Sequence, residues 1–334
     1  MLADYSPHHS RRVGASPCGR PPDQRAVHAV AARALGPDLA VRRAREGGST
    51  YVYRVDRGGE TFYLRVLPEA DATFAPEVQA HRLLAERGAR VPAVVYYERY
   101  CAHLGLSVMV TTAVAGRSIG RGRPASATLE RALREAGRDL ALINSLPVAG
   151  FGWVVRDGPD GAALAAEHPT YRAFALEGLA TDLDLLGRHT LPAAQIAALR
   201  AAIDAHDAWL DPPHAVLAHG DYDATHIYAV AGRYSGLIDF GEIRGGDPYY
   251  DLAHLSLREG EALPTPLLPL LPLLLRGYAE VTPQPPDVVQ RIALASLFIA
   301  IKALARRARR VPPTAVPSDP IIPALSRALA ALRP

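Results

Sequence analysis

Two aspartates, Asp221 and Asp239, are the residues of this sequence best suited to chemistry. Four residues separate His219-Gly220-Asp221 from His226, and thirteen positions further on the chain reads Asp239-Phe240-Gly241. Phosphoryl transfer to a hydroxyl needs an acceptor for the hydroxyl proton and ligands for the metal ions that bridge the phosphates. Asp221 suits the first task and Asp239 suits the second.

A short β-hairpin is predicted to bring these two carboxylates together. Ile227–Val230 and Tyr234–Ile238 have the character of strands and are separated by the turn Ala231-Gly232-Arg233. Asp221 precedes the first strand, and Asp239 follows the second. Both side chains should therefore be delivered to the same end of one ribbon.

The sequence around the hairpin divides into a β-rich region and a helical region. Residues 23–115 are predicted to form an N-terminal lobe with a small antiparallel sheet and one helix within it. Residues 116–334 are predicted to form a larger, mainly helical C-terminal lobe with one β island at 215–238. Residues 1–22 lack periodicity and are expected to be a disordered leader. The predicted helices are 23–35, 76–87, 125–146, 169–186, 191–209, 247–258, 286–308 and 318–332, and the predicted strands outside the hairpin are 51–55, 61–67, 91–97 and 106–112.

The composition indicates a globular protein without a nucleic-acid or membrane partner. Hydrophobic residues make up 49% of the chain, and the formal charge of +3 is too small to indicate nucleic-acid binding. Cys18 and Cys101 are too few for a disulfide framework or a cysteine metal site, which favours a reducing compartment. The apolar window Leu267–Leu275 contains Pro269 and Pro272 and is shorter than the roughly 20 residues of a membrane span. We therefore expect a cytoplasmic protein.

The motifs around the hairpin carry a resemblance to a known family. The spacing from Asp221 to Asp239 is similar to that between the catalytic loop and the metal-binding Asp-Phe-Gly of protein kinases. Together with Gly246-Asp247-Pro248 and Asp251-Leu252-Ala253, these motifs resemble the aminoglycoside phosphotransferase and choline kinase family, from about Leu39 to the C-terminal helices. The resemblance implies an α+β, bilobal protein-kinase-like fold. It also implies Mg²⁺-dependent transfer from ATP or GTP to a small-molecule hydroxyl, with Asp221 as the base and Asp239 as the metal ligand.

Two aspartates downstream of the hairpin have structural interpretations. Asp247 followed by Pro248 is typical of a helix start, with the aspartate as the N-cap. Asp251 is interpreted as a brace for the catalytic loop rather than as a substrate contact.

The nucleotide-binding residues are predicted from the β-rich region. Gly47, Gly48 and Ser49 lie between two strands, where backbone N–H groups can close over phosphates, although a simple hairpin turn has the same pattern. By the resemblance, Arg65 takes the place of a phosphate-binding lysine, and Glu77 is the acidic residue that holds this cation. An exposed surface carboxylate is the alternative for Glu77. The segment 110–114, including Thr112 and Val114, resembles the hinge that binds the purine through its backbone.

Two positions depart from the family pattern. Arg65 replaces the lysine, and its planar fork can still pair with phosphate oxygens. His226 replaces an asparagine that offers an oxygen to the metal. Because Mg²⁺ prefers oxygen ligands, this metal position is expected to be weaker or filled differently. A histidine that only supports the loop is the alternative for His226.

By the same resemblance, the acceptor is expected to be a hydroxylated antibiotic, such as an aminoglycoside, with a primary metabolite such as choline, homoserine or a sugar as the alternative. Candidate substrate-binding acids are Asp223, Glu242 and Glu259, together with Glu261, and they would suit a polycation. A solvated helix surface is the alternative for Glu259 and Glu261. Arg244, Arg258 and a basic run offset these acids, so a neutral ligand fits equally well. The basic run comprises Arg306, Arg307, Arg309 and Arg310, and it is either a solvated helix face or a phosphate or polyanion contact.

Other classes of protein fit the sequence less well. Only five residues separate Gly241 from Asp247, which leaves no room for the activation segment on which a protein kinase docks a peptide. The sequence has no Gly-x-Ser-x-Gly or His-Glu-x-x-His motif of the kind found in hydrolases. A catalytically weak nucleotide-binding regulatory module remains an alternative, and the sequence leaves the oligomeric state open.

Overall fold

The computed structural model describes residues 21–44, 49–121, 126–258, 270–310 and 319–333. The predicted leader lies outside these residues, except for residues 21 and 22, which have no regular structure. The chain divides into two compact units. The first contains residues up to 78, 93–113 and 156–161, and the second contains 79–92, 114–155 and the chain from 162 onward. The division passes through one helix, α2.

The first unit is a five-stranded antiparallel sheet with helix α1 packed on it. The strand order is β1-β2-β3-β5-β4. One core, which includes Val30, Val55 and Leu64, lies between the sheet and α1. The elements are α1 (Gln24–Leu35), β1 (Leu39–Arg43), β2 (Tyr51–Arg57), β3 (Glu60–Val66), α2 (Ala75–Glu86), β4 (Val94–Cys101) and β5 (Leu106–Thr112).

Local signals explain where the first elements begin and end. The Asp23 carboxylate accepts hydrogen bonds from the Arg25 and Ala26 amides, which makes it the N-cap of α1. The β2–β3 hairpin turns at Gly58 and Gly59, whose φ angles of 56° and 87° lie in the left-handed region that glycine adopts without strain. The two strands therefore extend further into the turn than the sequence predicted.

The second unit contains two sheets and most of the helices. The sequence predicted a single β island, but the described residues form a five-stranded sheet of order β7-β10-β13-β8-β9 and a three-stranded sheet of order β12-β11-β6. The additional strands were missed because they are only two to four residues long. The strands are β6 (Arg117–Ser118), β7 (Pro147–Val148), β8 (Phe151–Val154), β9 (Ala166–His168), β10 (Ala215–Ala218), β11 (Ile227–Val230), β12 (Arg233–Leu237) and β13 (Arg244–Gly246).

The helices of the second unit surround one large apolar core. The helix predicted at 169–186 is broken in two at Gly178, which has a φ of 67°. Helices α3 and α8 cross closely, since a Cβ atom on Gly137 would lie 2.0 Å from the Leu274 carbonyl oxygen. The helices are α3 (Ser126–Ile143), α4 (Tyr171–Leu176), α5 (Leu179–His189), α6 (Ala193–Ala205), α7 (Tyr250–Arg258), α8 (Leu270–Ala279), α9 (Val288–Ala308) and α10 (Ile321–Ala331), with short 3₁₀ turns at Asp207–Leu210 and Phe240–Glu242.

Helix α9 is the one helix of the described chain that is long and apolar enough to cross a membrane. Most of its apolar side chains, including Leu297 and Ile301, are buried in the core of the second unit. The core helix of a globular protein has the same composition, so α9 is weak evidence for a span.

Candidate active site

The loop His219–Asp221 follows strand β10, and Asp251 of α7 fixes its shape. The Asp251 Oδ2 atom accepts a hydrogen bond from the His219 amide at 2.8 Å, and Oδ1 accepts one from the Gly220 amide at 2.9 Å. Asp251 is completely buried, so two backbone donors share a charged acceptor where water is excluded. The prediction that Asp251 braces the loop is confirmed.

His219 connects this loop to the exit of the hairpin. Its Nδ1 accepts a hydrogen bond from the Asp221 amide at 3.3 Å, and its Nε2 donates to the Ile238 carbonyl at 2.9 Å. Burial lowers the pKa of His219, which favours the neutral ring that this pattern of one donor and one acceptor requires. The His219 ring therefore links the backbone of Asp221 to that of Ile238, the residue just before Asp239.

Two backbone positions at the site have left-handed conformations. Gly220 has a φ of 86°, and a Cβ atom there would lie 1.9 Å from the Glu242 carbonyl oxygen, so only glycine fits. Asp239 has a φ of 68°, which is uncommon for a residue with a side chain. In a residue other than glycine, such as Asp239, this conformation costs roughly 1–3 kcal/mol, and it is concentrated at functional sites.

His226 lies close to both Asp221, the predicted base, and Asp239, the predicted metal ligand. Its Nδ1 donates a hydrogen bond to the Asp221 carbonyl at 2.8 Å, and its Nε2 lies 3.8 Å from Asp239 Oδ2. Burial lowers the pKa of His226, but the carboxylates of Asp239, Asp223 and Asp221 outweigh burial and raise it. The structure thus brings Asp221, His226 and Asp239 together, and the His226 ring supports the loop while it presents its other nitrogen to Asp239.

Two sets of atoms are candidates to hold a divalent cation. Asp221, Asp223 and His226 offer three atoms within 4.8 Å of one another. The second set is His226 Nε2 and Asp239 Oδ2. Because Nδ1 already donates to a carbonyl, Nε2 is the nitrogen whose lone pair can bind a metal, which favours the second set. A separation of 3.8 Å is too long for a hydrogen bond. It lies between the roughly 3.0 Å and 4.2 Å that separate adjacent and opposite ligands of an octahedral ion with bonds of about 2.1 Å, so a small movement of one side chain would let both atoms bind the same ion.

This donor set fits a divalent cation with further positions open to phosphate oxygens or water. The Asp239 side chain is 48% exposed, which leaves room for such ligands. One carboxylate suits Mg²⁺ or Mn²⁺, whereas an imidazole suits softer metals than Mg²⁺. A cation would also compete with a proton for the His226 ring, because the neighbouring carboxylates raise the pKa of this ring.

The predicted substrate-binding acids are already engaged within the chain or lie outside the described residues. Asp223 is nearly completely buried, and its Oδ1 accepts a hydrogen bond from the Thr225 amide at 2.6 Å. Glu242 Oε2 lies 3.6 Å from Arg244 Nη2. Glu259 falls in the segment 259–269, which the structure does not describe.

The first unit contains a buried ion pair at the predicted phosphate-binding position. Arg65 on β3 donates a hydrogen bond to Glu77 on α2, and the two side chains are only 9% and 2% exposed. The alternative of an exposed surface glutamate at position 77 is therefore wrong. The Arg65 guanidinium also lies over the Phe74 ring, 5.2 Å from its centre. Arg65 and Glu77 thus pair with each other, and the contact of Arg65 with a phosphate stays a prediction.

The remaining predicted nucleotide contacts are described only in part. Gly47 and Gly48 lie outside the described residues, and Ser49 is an exposed residue directly after them. Thr112 is the last residue of β5, and its hydroxyl accepts a hydrogen bond from the Ala93 amide at 2.9 Å. Val114 begins the next segment of the second unit. Their predicted contacts with a purine remain predictions.

His254 is a site residue that the sequence interpretation missed. Its Nδ1 donates a hydrogen bond to the Tyr222 carbonyl at 3.1 Å, and its Nε2 lies 3.5 Å from Asp221 Oδ1. Burial lowers the pKa of His254, and the Asp221 charge opposes that shift. The available signal was its position three residues after Asp251, which places both side chains on one face of α7.

Asp247 stabilises the chain that leads into α7. Its Oδ1 accepts a hydrogen bond from the Tyr249 amide at 2.7 Å, and its carbonyl accepts one from the Tyr250 amide at 3.0 Å. The helix begins at Tyr250, three residues later than predicted. Burial raises the pKa of Asp247 to about 6, because a charged carboxylate is costly in an apolar site.

Solved structures with the same fold define the class of protein. An aminoglycoside phosphotransferase, APH(4)-Ia, in complex with AMP-PNP and hygromycin B, has a TM-score of 0.64 at 19% identity, with 92% of this chain and 98% of that chain covered. A protein provisionally assigned as a fructosamine-3-kinase from Thermobifida fusca has a TM-score of 0.61 at 21% identity, with coverages of 92% and 98%. The macrolide 2'-phosphotransferase MphH from Brachybacterium faecium has a TM-score of 0.54 at 18% identity, with coverages of 93% and 97%. At these identities the likeness establishes the fold alone, which is the predicted protein-kinase-like fold.

The family comparison goes further than the fold. The sequence model of the phosphotransferase enzyme family matches residues 40–283, which include the braced loop, the hairpin and α7. The chain belongs to this family, and it is a phosphotransferase. No curated protein matches the sequence significantly.

Proposed function

We propose that this phosphotransferase moves the γ-phosphoryl group of ATP or GTP to a hydroxyl of a small molecule, with Asp221 as the proton acceptor. The observation that carries the proposal is the loop geometry. Asp251 and His219 hold the loop by its backbone, which leaves the Asp221 carboxylate 35% exposed at the end of the hairpin. A carboxylate held in this way can accept the hydroxyl proton as the new bond to phosphorus forms.

Asp239 and His226 are proposed to hold the divalent cation, with Mg²⁺ or Mn²⁺ as the candidates. When bound, the cation neutralises the charge on the phosphate oxygens and orients them for in-line attack. His226 has a second role in the proposal, because its Nδ1 hydrogen bond to the Asp221 carbonyl fixes the loop next to the metal position.

Arg65 is proposed to contact the phosphates of the nucleotide, with Glu77 holding its guanidinium in place. The planar fork of Arg65 leaves further N–H donors for phosphate oxygens when one pairs with Glu77. Gly47, Gly48 and Ser49 are proposed to close over the phosphates, and the backbone near Thr112 and Val114 to bind the purine.

The proposed acceptor is a hydroxylated antibiotic, and the cellular location is proposed to be the cytoplasm. The support is that structures of the same fold include an aminoglycoside phosphotransferase in complex with hygromycin B and a macrolide phosphotransferase. A primary metabolite is the second candidate. The observation that favours it is that Asp223 and Glu242 each lie within 3.9 Å of an arginine nitrogen, which weakens the case for a polycationic aminoglycoside.

The test is release of ADP or GDP in a screen of hydroxyl-bearing antibiotics and metabolites, with Mg²⁺ or Mn²⁺ present. For any accepted compound, Asp221→Asn should lower kcat by roughly 10²–10⁴, the range for a positioned acid or base. Asp184→Asn is the matched control, because Asp184 is an exposed residue of the second unit and should leave kcat unchanged. Nucleotide binding without hydrolysis or transfer would instead favour a regulatory module, and an unchanged rate in Asp221→Asn would remove this residue from the mechanism.

A further inference from the structure

Two cations lie one turn apart on the half-buried face of α9. Lys302 is the single lysine of the sequence. Its ammonium group donates a hydrogen bond to the Phe174 carbonyl at 3.0 Å and lies 5.0 Å from the centre of the Phe174 ring. Arg306 follows four residues later, and neither side chain is fully exposed. Like charges at this spacing repel each other, so the arrangement is unfavourable by itself.

Arg244 of β13 brings a third cation to the same place. Its side chain is 7% exposed, and its guanidinium lies between two rings, 4.1 Å from the centre of Trp153 and 4.7 Å from that of Tyr250. It donates hydrogen bonds to the Tyr250 hydroxyl at 2.7 Å and to the Gly220 carbonyl at 3.4 Å. Arg244 therefore lies directly against the residue that precedes Asp221.

The three cations are close enough for their charges to act on one another. Burial lowers the pKa of Lys302; the charges of Glu177 and Asp182 oppose that shift, and the smaller effects of Arg244 and Arg306 add to it. Burial also lowers the pKa of Arg306; Tyr250 and Glu242 oppose that shift, while Arg310 and, to a smaller extent, Arg244 add to it. Partly desolvated like charges destabilise a fold unless an anion compensates them.

The acids of the described chain compensate this group only in part. Glu242 lies 3.6 Å from Arg244 and also acts on Arg306. Glu177 and Asp182 also act on Lys302, but Glu177 is largely exposed, and Asp182 accepts a hydrogen bond from Arg309. Glu242 is thus the described carboxylate that acts on both arginines, and Glu177 and Asp182 compensate part of the charge of Lys302.

Arg306 differs from its neighbours in the basic run. Arg307 is paired with Asp319, and Arg309 is paired with Asp182. In the part of the chain that the structure describes, Arg306 has no hydrogen-bond or ion-pair partner, and it is less exposed than Arg307 and Arg309. A solvated helix face accounts for Arg307 and Arg309 but does not account for Arg306.

We propose that Arg244, Lys302 and Arg306 form an anion-binding site beside the catalytic loop, and that the acceptor carries a carboxylate or phosphate group in addition to its reacting hydroxyl. The part about the acceptor rests on the proposed function and narrows it to anionic hydroxyl compounds. Arg306 supplies the open guanidinium, Lys302 adds charge, and Arg244 fixes the site next to Gly220. Polycationic aminoglycosides are then poor acceptors, because they would meet a cationic surface.

The first test measures binding without turnover. Isothermal titration with inorganic phosphate and, separately, with glycerate is carried out at saturating ADP, so that ADP covers the nucleotide site. Both anions should bind to the wild-type protein, and Arg306→Gln and Lys302→Gln should each weaken binding about 10-fold or more, as expected for loss of a charge-assisted contact. Arg131→Gln removes the same charge at an exposed position of α3 and should change binding less than twofold.

The second test measures transfer to matched acceptor pairs. Glycerate is compared with glycerol, and gluconate and glucose 6-phosphate are each compared with glucose, by the ADP-release assay. The anionic member of a pair should have the larger kcat/KM, and Arg306→Gln should lower that value about 10-fold or more while the value for the neutral member stays within threefold. Preference for the carboxylates or for the sugar phosphate then identifies which anion the site takes.

Two outcomes separate this proposal from the proposed function. If the protein transfers phosphate but neither anion binds, or if Arg306→Gln binds the anions as tightly as the wild type and Arg131→Gln do, the anion site is refuted and the kinase proposal stands. If the anions bind in an Arg306-dependent manner but no nucleotide is hydrolysed and no acceptor is phosphorylated, the anion site stands and the kinase proposal fails. The melting temperature of Arg306→Gln is measured as the control for folding. We expect it to be retained, because the substitution relieves repulsion between like charges, so that loss of binding in this variant reports on the anion site.

Discussion

Replacing Asp251 by Asn should show how much of the site's stability depends on one buried carboxylate. Its Oδ1 accepts from the Gly220 amide, while Oδ2 accepts from the His219 amide and from Asn144 Nδ2 at 3.1 Å. The Asn144 side chain is itself fixed, because Nδ2 also donates to the Leu217 carbonyl and Oδ1 accepts from Tyr278. The substitution keeps the shape of the side chain but turns one acceptor oxygen into an N–H donor.

The expected loss in the free energy of unfolding depends on which hydrogen bonds the asparagine at position 251 can keep. The least costly orientation keeps the oxygen toward His219 and Asn144 and turns the new NH₂ toward the Gly220 amide, so that two donors face each other. One hydrogen bond to a charged acceptor is lost, and a buried N–H is left without a partner; each effect is worth roughly 1–3 kcal/mol. A neutral amide is cheaper to bury than a carboxylate, which offsets part of the loss. We expect the free energy of unfolding to fall by about 2–4 kcal/mol.

The assay is urea unfolding of the wild type, Asp251→Asn and Asp247→Asn at pH 7.5, with intrinsic fluorescence as the signal. Asp247→Asn is the matched control: it makes the same chemical change in a buried residue close to the start of α7, but that carboxylate has a raised pKa. The control should be as stable as the wild type or more stable. Nucleotide hydrolysis by folded Asp251→Asn should also fall, because Gly220 precedes Asp221. A loss below about 0.5 kcal/mol in Asp251→Asn, or an equal loss in both variants, would refute the assignment of Asp251 as the brace.

Three further predictions concern a buried ion pair, a buried acid and the metal position. Arg65→Ala should destabilise the protein by about 3–5 kcal/mol in urea unfolding, because Glu77 would stay buried without its cation, whereas a loss under 1 kcal/mol would show that the pair is solvated. The folded-state pKa of Asp247, about 6, exceeds the unfolded value of 3.8, so its contribution to stability falls as the pH rises between these values and is constant above them. Melting temperatures from pH 4 to pH 7.5 should show that Asp247→Asn becomes more stable relative to the wild type as the pH rises through this window. The difference in free energy of unfolding should change by roughly 3 kcal/mol at most. A pH-independent difference would contradict the raised pKa of Asp247. His226→Asn should raise the ratio of Mg²⁺- to Mn²⁺-supported nucleotide hydrolysis, because it replaces an imidazole with an oxygen ligand, and an unchanged ratio would exclude His226 from the metal site.

The local parts of the site could be predicted from the sequence. The hairpin strands Ile227–Val230 and Arg233–Leu237 lie within one residue of their predicted bounds, because alternation and a turn sequence act over a few residues. The same short range places Asp221 before the ribbon and Asp239 after it, with His226 next to both. The family motifs lie in this stretch, and they account for the correct fold class.

Other features depended on contacts between distant segments. Glu77 could be an exposed or a buried carboxylate from its sequence alone, and only the sheet beneath α2 decided that it is buried against Arg65. The strands β7, β8, β9 and β13 are too short to give a periodic signal, and they exist because they pair with one another and with β10. The close crossing of α3 and α8 required glycines whose purpose no local pattern reveals.

By itself the sequence determined which groups are available: two acids around a hairpin, a glycine between His219 and Asp221, and a basic run near the C-terminal end of α9. Only the tertiary structure decided how those groups are used, because hydrogen bonds and charges act over a few ångströms between residues far apart in the chain. It set Asp251 under the loop and His254 beside Asp221, and among the described residues it left Arg306 without the ion pair that Arg307 and Arg309 each make, under the charges of Arg244 and Glu242. Burial made these placements matter, since a charge or a backbone amide removed from water needs a partner that the fold or a ligand must supply.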